Sequence, residues 1–147
     1  MKMNCFFIVM NSIHIKILIL VLFVNFTISC QTDRRCEYWN EKFDTLLIEN
    51  IDSYDTIIVV PEAGCTGCIS KAEQFYIENQ SNDKILFIFT NIVSIKTLLI
   101  RLGRDVLSKD NVYIDSSDLF FDQDYADNIY PHKINRINGE VTYVETF

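Results

Sequence analysis

The chain is poor in the residues that bend or loosen a backbone, with four glycines and two prolines in 147 positions. That scarcity excludes collagen-like and low-complexity readings. Basic charge is also short. Thirteen Lys and Arg face 20 Asp and Glu for a net charge of −7, so no basic patch supports nucleic-acid binding. Disorder is excluded by the opposite token, because 49% of the residues are hydrophobic and 13% aromatic. The length suits one domain and is short for two.

Acids are absent from residues 1–29, where Lys2, His14 and Lys16 are the basic groups. A 12-residue apolar run follows, Ile17–Ile28, and then Ser29 and Cys30. A basic segment, a short apolar segment and a small residue before a cysteine read as an export signal. The run is short for a membrane-spanning helix, which needs roughly 20 apolar residues. An uncleaved anchor and simple secretion are the two alternatives. Met10 offers a second start that would leave Cys5 outside the functional chain. Thr27-Ile28-Ser29-Cys30 resembles a bacterial lipobox, with Thr27 where leucine is usual. The resemblance implies that Cys30 is lipidated and that the chain faces the periplasm in the cell envelope. Without residues 1–29, 11 bases face all 20 acids, a net −9. Such a surface disfavours direct adhesion to anionic lipid, which leaves an acyl chain as the anchor.

Residues 30–36 read as a tether and 37–147 as the domain. Trp39, Phe43, Leu46 and Leu47 recur at i, i+4, i+7 and i+8, which predicts a helix ending near Asn50. Thr56–Val60 and Lys84–Thr90 are β-branched or aromatic runs that predict buried strands. Between them, Ile69, Ala72, Phe75 and Tyr76 predict a helix over 66–79. Ser94 and Gly103 mark the start and stop of another. Asn111–Ile114 reads as a brief strand, and Asp115–Asp127 as a solvated acidic loop without calcium-binding spacing. Asn138-Gly139 between Lys133–Ile137 and Glu140–Val144 predicts a tight hairpin. The order predicts an α/β sandwich: a central mixed sheet with flanking helices, closing in an antiparallel hairpin.

Cys65-Thr66-Gly67-Cys68 falls between a buried strand and a helix start. There the free N–H groups of the first turn favour a thiolate at Cys65, and Cys68 stands one turn on as its resolving thiol. Gly64 and Gly67 remove bulk around the sulfur. Redox exchange, a structural disulfide and metal binding are all open to a CxxC. Zinc would need Cys36 and His132 to complete four ligands. Cys36 otherwise reads as incidental or as a resolving partner, and His132 as a half-exposed strand residue or one that tunes the thiolate. The peroxiredoxin pattern Pro-x-x-x-Thr-x-x-Cys is broken, because Cys65 stands at the threonine place between Pro61 and Cys68.

With Pro131 opening the hairpin 63 residues after Cys68, the region Thr56–Val144 resembles the thioredoxin-like superfamily. The resemblance implies disulfide exchange through Cys65 and Cys68 without a cofactor or metal. It further implies a cis bond at Pro131 against the disulfide, and a substrate-binding edge of Tyr130, Pro131, Thr66 and Gly67. The implied partners are cysteine-containing envelope proteins and an upstream redox partner. Departures are plain. Gly64 replaces the usual aromatic, Thr66-Gly67 the usual Gly-Pro, and Val59 the buried acid, for which Glu62 is a substitute or else a solvated loop acid. The last helix of the family is also missing.

Overall fold

The computed structural model describes residues 34–45, 48 and 50–147. The chain divides into Met1–Arg35 and Cys36–Phe147. Of the first unit, Arg34 and Arg35 alone are described, so the residues expected to form an export signal, and Cys30, lie outside the described residues. Among the described residues no helix is long and apolar enough to cross a membrane.

The elements are α1 (34–44), β1 (Thr56–Pro61), α2 (Thr66–Asn79), β2 (Ile85–Thr90), α3 (Ile95–Leu102), β3 (Val112–Ile114), β4 (His132–Ile137) and β5 (Glu140–Thr146). They build a five-stranded mixed sheet in the order β3-β2-β1-β4-β5. β1 is central, parallel to β2 and antiparallel to β4, and β5 folds back on β4. The class is α/β, as expected, with the hairpin at one side of the sheet.

Alternation explains how the sheet acquires two faces. Ile57, Val59, Leu86 and Ile88 point to one side, where they meet Trp39 and Phe43 of α1 with Phe120 and Ile134. Ile58, Val60, Phe87 and Phe89 point to the other, against Ile69, Ala72 and Tyr76 of α2 and Leu98 of α3. Both central strands are therefore apolar on each side, and sequestering one such side chain contributes about 2 kcal/mol.

Local signals set several boundaries. Ser94 caps α3 by accepting the Thr97 N–H at 3.3 Å, and Gly103 ends it at φ 97°. Asn138 and Gly139 both take positive φ, 53° and 87°, as a two-residue hairpin turn demands. Two expectations are corrected at α1. The tether is already helical at Arg34–Cys36, and the helix stops at residue 44 instead of near Asn50. Thr45 Oγ1 donates to the Lys42 carbonyl at the end of this helix, and Asn50, at φ 62°, turns the chain into a short 3-10 turn at Ile51–Ser53. Leu46 and Leu47 lie outside the described residues.

The acidic loop is not solvated throughout. Asp115 is fully buried at the end of β3. Burial alone would push its carboxyl up, but it accepts the Phe120 N–H at 2.9 Å, the Thr90 hydroxyl at 2.8 Å and the Ser117 hydroxyl at 2.9 Å. These donors hold it below the usual carboxylate range. A depressed folded pKa stabilises the fold above the unfolded value of about 3.9, and that stabilisation is lost as pH falls through the folded value. Asp115→Asn is therefore expected to cost about 2 kcal/mol at pH 7, since an amide group then faces donors. Urea midpoints should also fall less steeply for the variant than for the native chain below about pH 4.

Candidate functional site

β1 ends at Pro61, and the Glu62 N–H extends the ladder to the Thr90 carbonyl at 3.0 Å. Two residues later the backbone meets the segment before β4. A Cβ on Gly64 would collide with the Ile129 carbonyl oxygen and stand 2.9 Å from its carbonyl carbon. The adjacent Cys65 N–H donates to that same carbonyl at 3.0 Å. The expectation for Gly64 is that it removes bulk around the sulfur. It instead permits this close approach, while Gly67, with nothing within 4 Å of an added Cβ, is the open position.

Cys65 is the N-cap of α2, its φ and ψ of −66° and 97° lying outside the helix, and its carbonyl accepts the Ile69 N–H at 2.9 Å. Cys65 and Cys68 form a disulfide with Cα atoms 5.3 Å apart. Both cysteines are half-buried, and Thr66 and Gly67 between them are exposed. The first turn of α2 follows Cys65 directly, so the free N–H groups that a helix N-terminus carries lie next to it in the chain.

Tyr130 and Pro131 belong to the segment that meets this loop, but not in the expected form. Among the described residues no peptide bond is cis, so the bond at Pro131 is trans, a correction. The Tyr130 N–H is also spent inside a turn, donating to the Asp127 carbonyl at 3.0 Å. The pairing of that amide belongs to the run Asp122–Tyr130, where the Tyr125, Asn128 and Tyr130 N–H groups each donate to a carbonyl within the run. Pro131 is buried, and Tyr130 is half-exposed.

His132 is 3% exposed, against an expected half-exposed strand position. Its Nε2 lies 3.1 Å from the Asp127 carbonyl oxygen, which only a proton on that nitrogen satisfies. Its ring packs 5.1 Å from Trp39 and 5.8 Å from Tyr125. Cys36 is half-buried on α1 and packs with the same cluster, on the sheet face opposite α2. Among the described residues no group of three or more His, Cys, Asp or Glu side chains is arranged to hold a metal ion.

Glu62 is not a solvated loop acid. Its side chain is 6% exposed and lies 3.7 Å from the Arg101 guanidinium, while its second oxygen accepts the Ser94 N–H at 2.9 Å. Arg101 also contacts Glu73 of α2 at 3.2 Å. Burial pushes the Glu73 carboxyl up, Arg101 pulls it back, and Glu62 adds to the push. Glu73 and Arg101 carry no signal in the sequence, because they meet only when α2 and α3 pack on one face.

Compared with known proteins, the chain matches no family model, no curated protein and no solved structure.

Proposed function

We propose that this chain is a membrane-anchored thiol–disulfide oxidoreductase of thioredoxin-like architecture, exchanging disulfides with cysteine-containing envelope proteins. One observation carries the reading: the Cys65–Cys68 bridge caps α2 at the end of the central strand, beside the exposed Thr66 and Gly67. The sheet order supports the architecture, since the strand entering the CxxC lies between a parallel β2 and the antiparallel hairpin. The anchor rests on the lipobox resemblance at Cys30, with a periplasm-facing location.

In the reductive direction the Cys65 thiolate attacks one sulfur of a substrate disulfide. A mixed disulfide forms and the substrate's other sulfur leaves as thiolate. The Cys68 thiolate then attacks the Cys65 sulfur and releases the second substrate thiol. Two electrons have moved to the substrate, and a dithiol donor must then reduce the 65–68 disulfide back to two thiols, becoming a disulfide itself. Oxidation of substrates is the same sequence in reverse.

A second reading has an observation in its favour. With the Tyr130 amide paired internally and Pro131 trans, the expected peptide-pairing edge is closed, as suits a non-enzymatic envelope lipoprotein with a structural bridge. Against it, a bridge across a sequence separation of three closes so short a loop that it stabilises the fold by only about 2 kcal/mol. Such a bridge opens and closes without taking the fold with it.

Insulin-disulfide reduction with dithiothreitol as donor tests the choice. The native chain is expected to accelerate it, and Cys65→Ser to abolish the acceleration. Equal rates for the two would establish the structural reading instead.

A further inference from the structure

Arg101, in the last turn of α3, joins two carboxylates that straddle the cysteine pair. Glu62 stands three residues before Cys65, and Glu73 five residues after Cys68. Both are withdrawn from water, with side chains 6% and 13% exposed. The Glu62 carboxylate thus ties the loop leading into Cys65 to the start of α3 through Ser94, and to its end through Arg101.

A buried carboxylate this close in sequence to the attacking sulfur carries an electrostatic cost. A second negative charge in a poorly solvated site disfavours the thiolate, so an uncompensated Glu62 would raise the Cys65 pKa. Residues 62–67, 91–94 and 129–131 meet at this end of the sheet. Apart from Cys65 and Tyr130, Glu62 is their single titratable side chain. The groups facing its carboxylate from α3 are the Ser94 N–H and Arg101, and Arg101 in turn faces Glu73 on α2.

Resting on the redox reading of the CxxC, we propose that Arg101 is a positioning residue of this centre, neutralising Glu62 so that it clamps the loop without opposing the Cys65 thiolate. The proposal separates charge from scaffolding by sign. Removing Arg101 leaves Glu62 and Glu73 without their cation, which disfavours the thiolate. Glu62→Gln keeps an oxygen to accept the Ser94 N–H but removes one negative charge and leaves Arg101 paired with Glu73 alone, which favours it.

The test is the pH dependence of Cys65 alkylation by iodoacetamide on the reduced full-length chain, read at the Cys65 peptide by mass spectrometry. Arg101→Met is expected to raise the apparent Cys65 pKa by about half a unit to one unit, slowing alkylation at pH 7 about three- to tenfold. Glu62→Gln is expected to shift it by a similar amount in the opposite direction. The double variant should return to within about twofold of the native rate, and Arg101→Lys should restore most of it. Shifts of the same sign in both single variants, or none in either, overturn the proposal. Should Arg101→Met fail to fold, Glu62→Gln decides alone: a lowered pKa supports the proposal, and an unchanged or raised one sinks it. Alkylation needs no turnover, so this result is independent of insulin reduction. A native chain without exchange activity would sink the redox reading, and unchanged alkylation would sink only the role of Arg101.

Discussion

Gly64→Ala is expected to destabilise the fold by about 3 kcal/mol or more and to displace the Ile129–Pro131 segment. Two costs combine. Gly64 sits at φ 153°, where a Cβ is strained, and the atoms that Cβ would meet are backbone atoms of Ile129, which have no rotamer to retreat into. If that segment withdraws, the Cys65 N–H loses its acceptor, so any exchange activity should fall along with stability. Gly67→Ala is the control. Its Cβ meets nothing within 4 Å on a helix, and alanine should be neutral or stabilising by up to about 1 kcal/mol. Urea midpoints of the two variants measure the contrast, and equal tolerance would contradict the close approach at Ile129.

Replacing Arg136 by methionine is expected to cost about 3 kcal/mol. This side chain is 4% exposed, and its guanidinium donates to the Ile51 carbonyl at 2.8 Å, to the Gly139 carbonyl and to Asp52 at 2.9 Å. It also stacks over Phe43, 5.5 Å from the ring centre. The carboxylate is the minor partner. Asp52 is 77% exposed, so solvent screens its charge and Asp52→Asn should cost less than about 1 kcal/mol. The carbonyls carry the larger share, because methionine fills the space but takes the guanidinium donors from the Gly139 carbonyl and leaves the Ile51 carbonyl with the Tyr54 N–H at 3.3 Å. A denaturation series of Arg136→Met, Asp52→Asn and the double variant separates the terms, and equal losses from the two single variants would refute this ranking. The same guanidinium joins the hairpin turn to the chain before β1, while the Arg136 N–H reaches the Asp55 carbonyl at 2.8 Å.

Much of the scaffold was legible because its signals are local. Ile57–Val60 and Leu86–Phe89 are apolar at every position, which only a strand covered on both faces can use. Ser94, Gly103 and Asn138-Gly139 each speak for the backbone conformation at their own place. The CxxC was legible for the same reason, lying where β1 hands over to α2.

What stayed hidden depends on residues distant in sequence. Asp115 looks like one more loop acid until Thr90, 25 residues earlier, turns its hydroxyl onto it. Glu62 looks equally ordinary until α3 brings Arg101 and the Ser94 N–H to its two oxygens. The end of α1 was misjudged because Leu46 and Leu47 continue the apolar stripe, whereas Asn50 adopts a left-handed conformation that no periodicity reports. The cis expectation at Pro131 rested on a family resemblance and on no signal in the neighbouring residues, and the bond is trans.

The central strand draws its two neighbours from very different distances along the polymer. Val59 pairs with Ile88 on one side and with His132 on the other. A chain made from its amino end thus keeps one flank of β1 bare until more than seventy further residues have been synthesised. Long-range closure of this kind slows folding relative to local pairing. During that interval the bare flank is a sticky seam for any other strand that drifts by, and a holding chaperone would have its greatest value then.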